Sequence, residues 1–236
     1  MSDIRKAYKI FVNCGTAKMQ TGQKQIRNNM RKFKTLALCL AVATAFSCKQ
    51  QTQVTETDMK TDNEVIEAIM ARRSIRKYKA EPVDKELLNK ILECGINAPN
   101  AINKQSWEVR VIATPELLAE FKAYMTAASP EMDPAMVEGC FRGAPTMIVI
   151  ANDTTFPFSI IDCGLMAENI MLSAWSLGVG SVCLGSPVGF IEKSEKAMER
   201  LGFSEGYKPA ICIGLGYADE TPDAKPRDMG KVKLVE

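Results

Sequence analysis

The chain has 236 residues, 46% hydrophobic and 25% charged, which is enough apolar material for one or two folded domains and too little charge for general disorder. There is no histidine, which excludes a Ser-His-Asp triad, a Cys-His pair, His-ligated zinc and an axial His on haem, so the chemistry must come from other side chains or an organic cofactor. The formal net charge of +2 is unevenly placed: residues 1–47 carry nine Lys/Arg and one acidic residue, while residues 48–236 carry 21 basic and 27 acidic ones, so the body offers no basic footprint for nucleic acid.

Residues 1–29 read as neither signal nor domain, and Met30 is the expected translation start. Arg31, Lys32 and Lys34 precede a nearly unbroken apolar run, Thr35 to Phe46. The run is shorter than the about 20 residues that span a bilayer, and its length suits the apolar stretch of a secretory signal over 30–47. It ends at Ser47-Cys48. A signal cut by ordinary signal peptidase, or a buried helix, fits the same run. Residues 49–61 are polar and read as a flexible tether. The folded body is then expected over 62–236.

Within the body, Asp62 is placed to cap a helix whose Val65, Ile66, Ile69 and Met70 share one face and which ends near Arg72. Pro82-Val83-Asp84 starts a second helix, with Leu87, Leu88, Ile91 and Leu92 facing inward, that stops around Gly95 to Pro99. Trp107 to Thr114 alternates as a strand, with Trp107, Val109 and Val111 opposite Glu108, Arg110 and Ile112. Pro115 to Ala127 reads as helix. Pro145 to Asn152 holds the buried-strand run Met147-Ile148-Val149-Ile150. Asp162 to Leu177 is a long apolar helix stopped by Gly178. Ser181 to Leu184 is a short strand, Ile191 to Leu201 one amphipathic helix, and Pro209 to Leu215 a buried strand. This mixture predicts an α/β or α+β domain with a mostly buried sheet. No cysteine pair forms a C-x-x-C, so Cys94, Cys140, Cys163, Cys183 and Cys212 are expected as buried thiols that pack as small apolar residues. Gly178-Val179-Gly180 and Gly214-Leu215-Gly216 lack the third glycine of a dinucleotide fingerprint, and no P-loop is present.

Arg72-Arg73-Ser74-Ile75-Arg76 places three guanidinium groups and a hydroxyl just past a helix. Such a cluster suits an anion, because Arg grips phosphate bidentately. A solvated basic helix end, favoured by the helix dipole, is the plainer alternative. Four further segments follow in order: Ala98-Pro99-Asn100-Ala101-Ile102-Asn103-Lys104-Gln105-Ser106-Trp107, then Ala144-Pro145 before a strand, then Asp162-Cys163-Gly164 leading to Leu184-Gly185, and finally Gly214-Leu215-Gly216-Tyr217 with Lys225-Pro226-Arg227. Together these resemble the nitroreductase-like flavoprotein family over about 62–236.

The resemblance implies an α+β fold with a central, mostly antiparallel sheet flanked by helices, and a homodimer with FMN at its interface. It implies an FMN-dependent oxidoreductase that passes electrons to electron-poor organic substrates such as nitroaromatics or quinones, with NAD(P)H as donor where a cytosolic donor is accessible. The other reading is a non-catalytic flavin-binding lipoprotein serving storage or a partner. By the same resemblance Arg72, Arg73 and Ser74 hold the FMN phosphate, Arg76 reaches the ribityl chain and the ring, and Lys225 and Arg227 complete the clamp. Leu184, Gly185 and Ser186 lie by the ring. Pro99, Asn100, Ala101, Asn103 and Gln105 come from the other subunit. Arg142 is the candidate for one further ring contact. No side chain need act as nucleophile and no metal is called for, since the flavin carries the chemistry.

Residues 30–48 resemble a bacterial lipoprotein signal, which would make Cys48 a lipidated first residue. The expected address is then a membrane anchor outside the cytoplasm, on the periplasmic side; if 30–47 is not a signal, the protein is expected in the cytoplasm. An external address conflicts with NAD(P)H as donor.

Overall fold

A computed structural model describes residues 63–235 of the chain. The upstream segment 1–29, the signal 30–47, Cys48 with the tether 48–61, and Asp62 lie outside the described residues.

The first helix, α1 (Glu64–Ala71), is capped by Asn63 rather than by the expected Asp62: its carboxamide oxygen accepts from the amides of Val65 and Ile66. Helix α2 (Lys85–Ile96) starts where Pro82-Val83-Asp84 predicts, with Asp84 accepting from Glu86 and Leu87 amides. Strand β1 (Trp107–Ile112) is followed by α3 (Pro115–Ala127), which has the predicted bounds and takes Thr114 as its cap. A short helix, α4 (Pro134–Gly139), was not foreseen, although Asp133-Pro134 is a helix start, with an oxygen cap and a proline at the first helical position. Strand β2 (Thr146–Asp153) leads to α5 (Ser159–Ser176), which begins three residues before the expected Asp162. Strand β3 (Gly180–Leu184) follows.

The single helix expected over Ile191–Leu201 is instead two, α6 (Ser186–Lys193) and α7 (Glu195–Leu201). Ser194 breaks them apart with φ −97° and ψ 103°. Its hydroxyl accepts from the Ala197 amide at 3.3 Å and donates to the Tyr124 carbonyl at 3.1 Å. A serine that finds both partners outside the helix ladder competes with helix continuation. The last strand, β4 (Tyr207–Gly216), is longer than the expected Pro209–Leu215.

The four strands form one antiparallel sheet in the order β1-β2-β4-β3. The two faces of this sheet are covered by different sets of helices. Ile148, Ile150, Ile213 and Leu215 meet α2 and α5 through Leu88, Ile91, Met166 and Ile170. Met147, Val149 and Cys212 meet α3, α6 and α7 through Phe121, Met125, Ile191 and Leu201. The apolar run of β2 is therefore continuous because successive side chains enter opposite cores. Strand β1 keeps the expected alternation, with Trp107, Val109 and Val111 packed against the first core. Ile112 is buried in the second core, and Arg110 lies along it, donating to the carbonyls of Leu201 at 2.8 Å and Gly202 at 2.7 Å at the end of α7.

Candidate functional site

Beyond α1 the chain turns at Arg72 and runs extended along the free edge of β3. Ser74 bridges Ser181 in parallel, and the Ile75 amide donates to the Ser181 carbonyl at 2.9 Å. Gly180 makes this approach possible, since a Cβ there would stand 2.9 Å from Ile75 Cγ1. On the far side the segment is tied to the chain that leaves β4: Lys79 donates to the Tyr217 carbonyl and Asp219 to the Lys77 carbonyl, both at 2.9 Å. The Glu220 carboxylate accepts from the amides of Arg76 and Lys77. Residues 74–79 are thus held on both sides, and the Arg72–Arg76 cluster sits on a fixed backbone.

The guanidinium groups differ in what they do. Arg73 Nη1 folds back onto the carbonyls of Met70 and Arg72, both at 2.8 Å, at the C-terminal end of α1. Arg76 Nη1 donates to the Ser74 carbonyl at 3.2 Å. Arg72 Nε lies 3.9 Å from Glu168 of α5, yet its Nη1 is buried with no hydrogen-bond partner among the described residues. The Ser181 hydroxyl is buried without a partner as well. Burying an unpaired charged donor is costly, so an anion that reaches Arg72 Nη1 recovers a desolvation penalty of about 1–3 kcal/mol.

At the other end of β3, Leu184 packs into the second core while Gly185 and Ser186 are exposed at the start of α6. Cys183 is exposed, which corrects the expectation of a buried packing thiol; Cys94 is half-buried, and only Cys140, Cys163 and Cys212 follow that expectation. The Cys183 thiol is raised above its ordinary value by desolvation and the nearby Glu168, against Arg72, so it is not an activated thiolate.

The Pro99–Gln105 segment contains a single 3₁₀ turn, Ala101–Asn103. Ile102, Asn103 and Gln105 have φ of 52°, 53° and 51°, in the left-handed region. A β-branched residue there is an outlier, and strain of this kind concentrates at functional sites. Three anchors hold the loop in place. The Ala101 amide donates to Asp162 Oδ1 at 3.1 Å, Lys104 pairs with Asp153 at 3.0 Å, and the buried Ser159 hydroxyl donates to the Ser106 carbonyl. Asp162 is buried on α5, and its second oxygen has no partner.

Within one chain the expected site residues do not all meet. Among the described residues no hydrogen bond or ion pair joins Pro99, Asn100, Ala101, Asn103 or Gln105 to Arg72–Arg76 or to Leu184–Ser186. The two groups lie along the same helix, at Asp162 and Glu168, about 9 Å apart in axial rise. Lys225 and Arg227 are exposed, joined to each other by Arg227 Nη1 donating to the Lys225 carbonyl at 3.0 Å, and neither pairs with the cluster. Glu168, Glu220 and the Ser181 hydroxyl were not singled out from sequence. They have no local signal, because each is brought to the cluster from more than 90 residues away.

The Nitroreductase family matches residues 69–217. The chain belongs to this family. A putative NADH dehydrogenase/NAD(P)H nitroreductase of Methanothermobacter thermautotrophicus is 34% identical over 169 residues, covering 69% of this chain and 81% of that protein. The NADPH-flavin oxidoreductase of Vibrio harveyi is 30% identical over 172 residues, 70% of each chain. Among solved structures, a nitroreductase with bound FMN from Desulfitobacterium hafniense is 35% identical with a TM-score of 0.66, covering 74% of this chain and 99% of that one. Another with bound FMN, from Bacteroides fragilis, is 27% identical with the same TM-score, over 74% of this chain and 100% of that one. The α+β arrangement of the sheet and its helices is the nitroreductase fold.

Proposed function

We propose that Arg72, Arg73 and Ser74 hold the phosphate end of FMN, that Arg76 reaches its ribityl chain and ring, and that Leu184, Gly185 and Ser186 lie beside the ring. The chain is an FMN-dependent oxidoreductase of the nitroreductase family, and its cofactor is FMN. The observation that carries the site assignment is the buried Nη1 of Arg72, without a partner among the described residues, two positions before Ser74, whose backbone bridges Ser181. The donor set fits a phosphate, which carries nearly two negative charges and three strong acceptor oxygens.

When bound, the flavin supplies the redox chemistry, accepting a hydride from a donor and passing electrons to an acceptor. The protein's own part is binding and orientation. Ser74 is fixed by its bridge to Ser181, and Glu220 holds the Arg76 and Lys77 amides, so the cluster is preorganised. Arg76 adds positive charge on the same segment. Lys225 and Arg227 follow Glu220 by only five and seven residues, so the tail is short enough to bring them onto the phosphate when it is present.

We further propose a homodimer in which Pro99, Asn100, Ala101, Asn103 and Gln105 serve the flavin site of the second copy. Three features support this. The loop is strained, is anchored on its inner side by Asp162, and reaches no site residue of its own chain. Val65, Ile66, Ile69 and Met70 of α1, with Ile160, Ile161 and Leu165 of α5, also leave an apolar surface uncovered. Acceptors are electron-poor organics such as nitroaromatics or quinones. Membrane attachment through Cys48 rests on the sequence of residues 30–48 alone; among the described residues no helix is long and apolar enough to cross a membrane.

The test is the absorption spectrum of the full chain, followed by anaerobic addition of NADH and NADPH. Flavin bands that bleach are the expected result. Bands that persist would move the donor elsewhere, and no flavin after reconstitution would overturn the assignment. Replacing both Arg72 and Arg227 with Ala should weaken FMN binding far more than Lys77→Ala, each lost charged contact counting for about tenfold. Equal affinities would sink the phosphate clamp.

A further inference from the structure

At the end of β3 away from the arginine cluster, Ser186 lines a cavity of about 430 Å³ whose other wall is α4. Ala135, Met136 and Phe190 give it an apolar surface, and Cys140 and Arg142 complete it. No carboxylate lines the cavity; Glu138, on the same helix, lines a different one with Lys122 and Thr126. Cys140 brings no charge, because burial pushes its thiol up to about 11 against the pull of Lys122 and Arg142. Arg142 is therefore the one charged group among the described residues that line the cavity.

Arg142 is held in an unusual way. It has φ 53° and is followed by Gly143 at φ 70°, so the link from α4 to β2 passes through two left-handed residues. Its amide donates to the Gly139 carbonyl at 3.1 Å, which closes the turn. Its guanidinium makes no hydrogen bond or ion pair among the described residues. An unpaired guanidinium at the rim of an apolar cavity suits a ligand with a flat apolar body and one anionic group.

We infer that this cavity is the acceptor subsite, and that Arg142 makes the enzyme prefer acceptors bearing a negative charge: an aromatic or quinonoid ring with a carboxylate or sulfonate. The inference rests on the placement of Leu184–Ser186 beside the flavin ring, because Ser186 is common to both. The cavity is of a size to take one small ring system. The apolar side chains hold the ring, and Arg142 binds the anionic substituent and so orients the ring.

The test compares 4-nitrobenzoate with 4-nitrobenzamide, which have the same ring and nitro group and differ in charge. In each turnover the reduced nicotinamide gives up a hydride, and with one proton from solvent this converts the nitro group to nitroso and releases one oxygen as water. The full chain with FMN should show the higher kcat/KM for 4-nitrobenzoate. Arg142→Gln should lower kcat/KM for 4-nitrobenzoate about tenfold more than for 4-nitrobenzamide, mostly through KM, and Arg142→Lys should restore part of the difference. Added salt should shrink the preference. Equal losses for the two acceptors, or none, would overturn the inference. So would loss of FMN from Arg142→Gln, read by flavin fluorescence, since that would place Arg142 on the cofactor. Calorimetric titration of the oxidised protein with 4-nitrobenzoate separates this inference from the reading beneath it. Weaker binding by Arg142→Gln supports the subsite whichever donor works, and equal binding overturns it even if the flavin is reduced normally.

Discussion

Helices α1 and α2 have the same design in sequence and opposite fates in the structure. Each starts at a side-chain oxygen cap, Asn63 or Asp84, and each lines up four apolar residues at helical spacing. In α2 those residues meet α5: Ile91 is fully buried, and Gly95 lets the Ile170 side chain come close. In α1 they stay largely exposed among the described residues, Ile66 by 51% and Met70 by 71%. The hydrophobic pattern therefore states which side of a helix avoids water. It does not say whether the cover comes from the same molecule, and in α1 that cover is proposed to be a second copy.

The largest effect should come from breaking the two helices in parallel. Ile91→Ala should cost about 2–5 kcal/mol of subunit stability, because it leaves a cavity in a site that cannot collapse. Ile69→Glu should leave the circular dichroism of the subunit unchanged and instead lower its mass in sedimentation from dimer to monomer. A dimer that survives Ile69→Glu would remove α1 from the interface.

Smaller, and a sharper probe of the α2 contact, is Gly95→Ala. A Cβ there would lie 2.5 Å from Ile170 Cγ1, so the Ile170 side chain or one of the two helices must shift, at about 1–3 kcal/mol in urea unfolding. Gly139→Ala, where nothing lies within 4 Å of the added Cβ, is the control and should be close to neutral. Comparable losses would mean that the close approach of α2 to α5 is not what limits the site.

The smallest effect concerns the loop that follows α2. Hydrogen bonds from Thr155 and then from Lys104 lower the Asp153 carboxyl from its ordinary 3.8 to about 2. A carboxyl depressed in the folded state stabilises above its unfolded value and loses that contribution as pH falls through its folded value. The wild type should therefore lose stability more steeply than Asp153→Asn between about pH 4 and pH 2. Parallel acid profiles would show that the Lys104 anchor contributes nothing to holding the loop.

Much of the scaffold is legible in the sequence. The bounds of α3 agree to the residue, because Thr114-Pro115 is an unambiguous start, and β2 announces itself by four successive apolar residues. What failed was local competition. Ser194 splits one amphipathic pattern into two helices because its hydroxyl finds the Tyr124 carbonyl, a partner 70 residues away. The arginine cluster was legible as an anion site. Its two clamps were not, since Ser181 and Glu220 reach it only through the β3 edge and the tail leaving β4.

Sequence alone determined which residue types are available for chemistry: no histidine, three arginines and a serine in one short segment, and a family pattern in the right order. It also determined some local starts, such as Asp84 before α2 and Pro115 at the head of α3, because these depend on neighbours within a few positions. Only the tertiary structure decided which donor is left unpaired, that Cys183 faces solvent, and that Arg142 lies across a cavity from Ser186. Those properties depend on burial and on contacts between distant segments, and no local pattern encodes what the rest of the chain leaves uncovered.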